Sequence, residues 1–341
     1  MTAPIRTAKV HSCLLCGAAG GVLYDKLRDR VFSVPGDWSI WQCPSPACGL
    51  LWLNPMPTVE DVHRVYDTYY TYAEEHKRNG PLRRLFAAAK RGYIASRFGY
   101  RNGASIVERV LGLLPWLYPG RPAELNFSVM WLAAPSGKVL DVGAGSGWLL
   151  ENLRDFGWQA EGLDFDARVV AHARDKGLNV HQGGLLERRF ADSSFDAVTM
   201  SHNLEHVHDP VAWIAAARHL LRPGGRLAIA TPNTASYLHR RFGEHWFPLE
   251  PPRHLYLFNR STLSQALRKA GFSCFRVFTS ARDAAGVFLA SRAIRKTGHH
   301  DMVGESRRSE RLLGRAMQFA ELNRLIIDRD AGEDLIAVAE K

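Results

Sequence analysis

The chain has 341 residues, 46% hydrophobic and 23% charged, with a formal net charge of +10 at pH 7. That balance excludes a disordered or fibrous chain and leaves room for a core of ordinary size plus one smaller module. No apolar run reaches the roughly 18–20 residues of a membrane span and residues 1–6 lack a signal peptide's apolar segment, so the expected compartment is the cytoplasm.

Two cysteine pairs come first. Cys13-Leu-Leu-Cys16 is followed after 26 residues by Cys43-Pro-Ser-Pro-Ala-Cys48, and Gly17 and Gly49 trail the pairs. Four thiolates in two tight pairs suit a structural Zn2+ held by Cys13, Cys16, Cys43 and Cys48, and the glycines let backbone N–H groups turn toward sulfur. An unmetallated ribbon and disulfide chemistry are the alternatives, and four residues inside the second pair rather than two make that pair loose. Residues 1–57 are thus expected to form a zinc-ribbon-like module. Cys274 is left over and is expected in a buried strand as a small hydrophobe.

Residues 58–132 read as a helical linker, a substrate or lid region. Tyr66, Tyr69, Tyr70 and Tyr72 are expected on one helix, with Tyr69 and Tyr70 closing a ligand site as a lid or packing as a helix face. No acid lies between Glu75 and Glu108, whereas Lys77, Arg78, Arg83, Arg84, Lys90, Arg91, Arg97 and Arg101 do. Leu82, Leu85, Phe86, Ala89 and Tyr93 follow helical spacing, which predicts a basic amphipathic helix. One reading packs that helix on the main domain under a solvated face. The other gives it an acidic substrate, small or lipid-linked, or an anionic membrane met peripherally through residues 82–101 at the inner face. Nucleic acid is disfavoured, since no recognition motif accompanies the charge. Pro119-Gly-Arg-Pro122 predicts a break between helices.

From residue 133 to 341 strands and helices alternate, as in a doubly wound α/β sheet. Strands are expected at 139–142, 159–163, 180–182, 197–200, 226–230, 272–278 and 334–340. The last alternates into a short apolar strand, with 281–333 as a helical, arginine-rich insertion before it (Arg307, Arg308, Arg311, Arg315). The most informative stretch is Val139-Leu-Asp-Val-Gly-Ala-Gly-Ser-Gly147, an apolar strand entering three glycines at alternate positions. Such a turn lets a ligand approach bare backbone, and the helix from Trp148 aims free N–H groups at it. Trp148 stands where a dinucleotide turn needs its third glycine, so the pyrophosphate fingerprint fails. Asp164 ends the next strand, where an acid meets ribose hydroxyls. A helix cap is the competing job, and Asp166 suits it better.

These residues resemble the class I S-adenosylmethionine-dependent methyltransferases. The likeness extends to Ser194-Phe-Asp-Ala-Val-Thr-Met200, Leu204-Glu-His-Val207 with Asp209-Pro210, and Leu221-Arg-Pro-Gly-Gly-Arg-Leu227. It implies a Rossmann-like seven-stranded sheet whose last strand, 334–340, runs antiparallel, and S-adenosylmethionine bound by Asp141, Gly143, Ala144, Gly145, Gly147, Asp164, Phe165, Leu185 and His202. Asp141 orients the loop or the cofactor amine, and adenine lies around Leu185 with Phe165 on its other face. His206, oriented by Glu205, is the expected base; starting a helix is its structural alternative. Pro252-Arg-His-Leu-Tyr256 resembles a substrate-side loop in which His254 is base, donor or structural. Trp246, Phe247 and Tyr256 form an aromatic wall or ordinary core.

The ribbon, Pro55-Met-Pro57 and the tyrosines resemble methyltransferases of polysaccharide, lipopolysaccharide and deoxysugar biosynthesis. A further C-terminal domain common there does not fit in this length, which counts against C-methylation of a nucleotide sugar. The expected function is methylation of a small or lipid-linked, saccharide-related metabolite, by O-methylation ahead of C- or N-methylation. A methyltransferase for RNA or a quinone-like lipid, or a non-catalytic binding protein of the same fold, are the alternatives.

Overall fold

A computed structural model describes residues 4–67, 80–100, 104–118, 120–187, 189–302 and 307–341. Expectations for Tyr69, Tyr70, Tyr72, Lys77, Arg78, Arg101 and Pro119 fall outside those residues. The front of the chain gives strands β1 (Thr7–Ala8), β2 (Gly21–Leu27), β3 (Trp38–Gln42), β4 (Leu51–Leu53) and β5 (Met56–Pro57). β1 pairs with β5, while β2, β3 and β4 form an antiparallel meander.

The main sheet follows, built from β6 (Lys138–Val142), β7 (Gln159–Asp164), β8 (Asn179–Gln182), β9 (Phe195–Ser201) and β10 (Leu221–Pro232). After β11 (Tyr256–Leu257) it is completed by β12 (Cys274–Ser280) and β13 (Asp334–Glu340), in the order β12-β13-β10-β9-β6-β7-β8. β6 to β10 are mutually parallel, and the central strands β6, β9 and β10 carry buried apolar stretches such as Val139-Leu140 and Ala228-Ile229-Ala230, whereas the outer β7 and β8 are more polar. β13 slots between β10 and β12 antiparallel to both, and the helices Ala284–Thr297 and Arg308–Ile327 fill the expected insertion. The connection direction reverses between β6 and β9, and in open sheets of this kind ligands bind beyond the carboxyl ends of the strands at such a point.

β11 departs from the main sheet. Tyr256 pairs antiparallel with Trp52, so a strand from late in the chain becomes the fourth member of the N-terminal sheet. One apolar core accordingly runs through Ile40, Leu51 and Trp52 into Leu255, Phe258 and Leu263.

Two sequence expectations need correction. Cys274 is exposed rather than buried. Gly271 leaves the preceding helix at φ 91° and Phe272 drops into the core, so the strand starts two residues late and Cys274 lies on an edge strand paired on one side only. The apolar stripe of the basic helix is also split: in Pro81–Phe98, Ala89 and Tyr93 are buried, but Leu82, Leu85 and Phe86 are exposed. The buried half meets helix Ile106–Leu111 through glycines, since a Cβ on Gly92 would sit 1.6 Å from the Glu108 carbonyl oxygen. No described helix is long and apolar enough to cross a membrane.

Candidate active site

At the carboxyl end of β6, Gly143, Gly145 and Gly147 have φ of 78°, 52° and 79°. The three have different reasons to be glycine. A Cβ on Gly143 would come within 2.5 Å of Asn203 Nδ2, and one on Gly147 within 2.2 Å of Leu178. Among the described residues Gly145 meets nothing nearer than 4.0 Å, so its backbone faces open space where a ligand can lie. Asp164, at the adjacent end of β7, anchors this turn. Its two oxygens accept from the N–H groups of Gly145 and Asp166, each at 3.0 Å, and each oxygen keeps a lone pair for a hydroxyl donor. Asp166 caps the next helix by accepting from Arg168 N at 2.8 Å, as expected.

Asp141 is buried beneath the turn and accepts from the Thr199 hydroxyl at 2.7 Å. Burial, opposed by that bond and reinforced by Asp164, pushes its carboxyl up to about 7; burial also raises Asp164. Two carboxylates disfavoured in ionised form are relieved by a cation, so the cradle's electrostatics suit a positively charged ligand. Asn203 Oδ1, beside Gly143, is a buried acceptor with no hydrogen-bond partner among the described residues. Phe165 is exposed and meets the edge of the Tyr66 ring at 5.4 Å. Leu185 turns into the core, and its neighbour Leu186 is the exposed apolar side chain there.

The loop after β9 carries the expected histidines. His202 adopts φ 49°, an unusual backbone for a side chain of its size. Its ring lies 3.1 Å from Arg282 Nη2, 3.4 Å from Glu205 and 3.7 Å from Asp334, a charged cluster beside Phe127, which stacks on Trp148 at the start of the helix after the glycine turn. Glu205 is fully buried and accepts from Thr231 at 2.9 Å; burial raises its carboxyl, but His202 and the other histidines outweigh this and hold it at about 2. Orientation of His206 comes from elsewhere. Its Nδ1 lies 3.1 Å from the Arg253 carbonyl and 2.9 Å from the Tyr66 hydroxyl. A carbonyl only accepts, so Nδ1 carries the proton in that contact and Nε2 keeps the lone pair. Burial and the adjacent His254, ring to ring at 4.7 Å, lower His206 to about 4, so it is neutral at neutral pH.

His254 is buried, and its Nδ1 donates to the Pro248 carbonyl at 2.7 Å. Arg253 beside it is fully buried, with bidentate contacts to Asp29 at 2.7 and 3.0 Å and a third to Glu250 at 2.8 Å. Asp29 follows β2, so this pair ties the N-terminal sheet to the loop that holds His206. Trp246 and Tyr256 are core: the Trp246 indole N–H donates to Glu333, and Tyr256 sits in the N-terminal sheet. Phe247 is half-buried against His300. The functions of Tyr66, Asp29 and Arg282 were not visible from spacing. Of the three, only Tyr66 left a trace, as a member of the tyrosine run.

The four front cysteines converge. Cys13 and Cys48 sulfurs lie 3.6 Å apart, and those of Cys16 and Cys43 lie 3.4 Å apart. Disulfides are much shorter, whereas Zn–S bonds of about 2.3 Å in a tetrahedron place sulfurs about 3.8 Å apart. Gly17 and Gly49 take φ of 75° and 70°, and backbone N–H groups of Ala18 and Leu50 face the Cys16 and Cys48 sulfurs. The donor set, spacing and N–H shell all fit a four-thiolate zinc site.

Known proteins share the sheet-bearing part of the chain. The family described as "Methyltransferase domain" matches residues 120–277. A probable S-adenosylmethionine-dependent methyltransferase of Mycolicibacterium smegmatis is 31% identical over 152 residues, 44% of this chain and 54% of the relative. The ubiquinone biosynthesis O-methyltransferase of Xanthomonas campestris pv. campestris is 36% identical over 124 residues, 34% of this chain and 52% of that protein. The chain therefore spans about half the length of the curated relatives it matches. A solved S-adenosylmethionine-dependent methyltransferase from Archaeoglobus fulgidus aligns with TM-score 0.43 and 20% identity over 60% of this chain and 86% of the other. The likeness to the methyltransferase-domain family thus spans residues 120–277, from the helix before β6 into β12.

Proposed function

We propose that the chain transfers a methyl group from S-adenosylmethionine to a hydroxyl of a small or lipid-linked, saccharide-related acceptor. The observation that carries the first half is the pairing of Asp164 with the open backbone at Gly145, over a carboxylate pair that favours a cation. S-adenosylmethionine supplies an activated methyl on a sulfonium centre. The chain's own residues do the rest: Asp164 accepts from the ribose hydroxyls, Gly143 to Gly145 line the backbone path, and Asp141 with Asn203 Oδ1 offers acceptors to the ammonium.

On the acceptor side, neutral His206 presents Nε2 as a proton acceptor, fixed by Arg253 and Tyr66 through the other ring nitrogen. Alignment of the nucleophile is the main requirement of an in-line displacement, and a base matters when that nucleophile is a hydroxyl. This favours O-methylation. The same chemistry serves a phenolic, quinone-like lipid, a second reading favoured by the likeness to a ubiquinone biosynthesis O-methyltransferase. Zn2+ at Cys13, Cys16, Cys43 and Cys48 is structural in this reading, since four thiolates leave no open position.

The assay is transfer of a labelled methyl group to polyprenyl-linked saccharides, free sugars and catechol-type lipids, with the product's linkage read by mass spectrometry. Label on a saccharide oxygen supports the first reading and label on a phenolic oxygen the second. Label on nitrogen, on carbon or on no acceptor contradicts both. Metal analysis of purified protein and of Cys13→Ser should give one zinc and a marked loss, respectively; unchanged zinc would remove those thiols as ligands.

A further inference from the structure

Among the described residues, the helical region leaves an apolar face without cover. In Ile106–Leu111 and the 3-10 turn Leu114–Leu117, Ile106, Val110, Leu113 and Leu117 recur at helical spacing and all point outward, Ile106 at 82% and Leu117 at 80% exposure. Trp116 is exposed beside them, and Leu82, Leu85 and Phe86 extend the face along the neighbouring helix. Side chains of this kind on a solvated face cost hydration that burial would recover.

The insertion helix continues the same surface. On Arg308–Ile327, Leu312, Phe319 and Ile326 follow one another every seven residues and are exposed. The two helical regions meet: Tyr118 has Arg121 at 5.4 Å and Arg315 at 5.9 Å from its ring, and Arg121 also lies 4.9 Å from the Phe86 ring. Between them Trp116, Trp131, Leu322 and Leu325 line a cavity of about 370 Å³ whose rim includes Arg97. Its far wall, at Ser280 and Ala281, ends one residue from Arg282, which contacts His202 in the site described above.

Charge decides what covers this face. Residues 81–118 contain seven Arg or Lys and a single acid, Glu108. Residues 307–327 contain five Arg against Glu310 and the buried Glu321. A two-fold contact with a second copy would set arginine against arginine. Large apolar and aromatic tips ringed by guanidinium groups match instead an interface with hydrocarbon on one side and anionic headgroups on the other. We infer that this face docks on an anionic lipid bilayer, with the apolar side chains of 106–117 and 312–326 inserted and the arginines among the headgroups. The contact thus centres on a surface that includes residues beyond the basic helix itself, and its cavity opens from the bilayer side toward the candidate site. The inference deepens the lipid-linked form of the acceptor, but docking itself needs no methyl transfer.

The test is co-sedimentation of the full chain with vesicles, equimolar phosphatidylglycerol and phosphatidylcholine against phosphatidylcholine alone. The expected result is about tenfold stronger partition onto the anionic vesicles, falling with salt. Ile106→Ser with Leu117→Ser should reduce it by a further factor of about ten. Both positions are exposed, so circular dichroism and S-adenosylmethionine affinity should stay as in the wild type, which separates failure of docking from failure of the cofactor reading. Equal partition onto the two vesicles, or unaltered partition of the double variant, would overturn the inference. So would a wild-type dimer that ignores vesicles and is broken by the same substitutions.

Discussion

The glycine cradle and the histidine side of the site are bridged by Tyr66, whose ring meets both Phe165 and His206, but are assembled differently. The cradle comes mainly from one βαβ unit: Gly145 and Asp164 are 19 residues apart, and Asp164 and Asp166 are two. The histidine side is drawn from the whole chain: His206 contacts Tyr66 across 140 residues, His202 contacts Arg282 across 80, and Arg253 contacts Asp29 across 224. A cofactor shared by many enzymes can be held by a local device of backbone and one acid. In the proposed function an acceptor that differs between enzymes is met by side chains that the N-terminal sheet, the β10–β12 loops and the insertion bring together.

That division can be broken from the histidine side without touching the cradle. The largest effect is expected for His206→Ala, a fall in kcat of about 10²- to 10⁴-fold with S-adenosylmethionine affinity unchanged, read from steady-state kinetics and calorimetry on the same preparation. A joint loss of affinity would mean that the two halves are not separate. Next comes Asp29→Ala, which leaves a fully buried guanidinium with only Glu250. Urea unfolding should show a loss of about 3–5 kcal/mol, and Asp29→Asn should recover part of it. Tyr66→Phe removes one contact to His206 and should lower kcat/KM about fivefold, in line with a single hydrogen bond of about 1 kcal/mol.

The smallest effect concerns the insertion. Glu321 is fully buried near Glu333, and burial with that neighbouring charge holds its carboxyl well above the ordinary value. Because the folded value lies above the unfolded one, its contribution to stability is complete below the unfolded pKa and is lost as pH rises toward the folded one. Glu321→Gln keeps an acceptor for the Glu333 N–H and removes the ionisation, so it should gain about 1 kcal/mol at alkaline pH and nothing near pH 4. A gain that does not vary with pH would show that packing rather than ionisation is responsible.

Legibility in the sequence follows the same line between local and distant. The turn after β6, Asp164 and the cap at Asp166 could be read from spacing, because each is set by residues within a few positions; alternation marked 334–340 as a strand, and its antiparallel direction followed from the resembled fold. Cys274 was misread because alternation predicts a strand without saying whether a neighbour covers it. Leu82, Leu85 and Phe86 show the same limit on a helix, where periodicity identifies an apolar side and leaves its partner open. Glu205 was adjacent to His206 in sequence, yet a 3-10 turn at Leu204–His206 directs it to Thr231 and His202. Asp29 carried no signal, since its partner lies 224 residues away in a loop positioned by the pairing of Tyr256 with Trp52.

The central claim is that Asp164 and the open backbone at Gly145 form a cradle for S-adenosylmethionine. Isothermal titration of S-adenosylmethionine into wild-type protein and Asp164→Ala tests it most directly. The account predicts saturable binding with Kd of about micromolar in the wild type and a loss of about a hundredfold in the variant, the worth of two hydrogen bonds to a charged acceptor. Equal affinity in the two proteins, or no binding by the wild type, would contradict it.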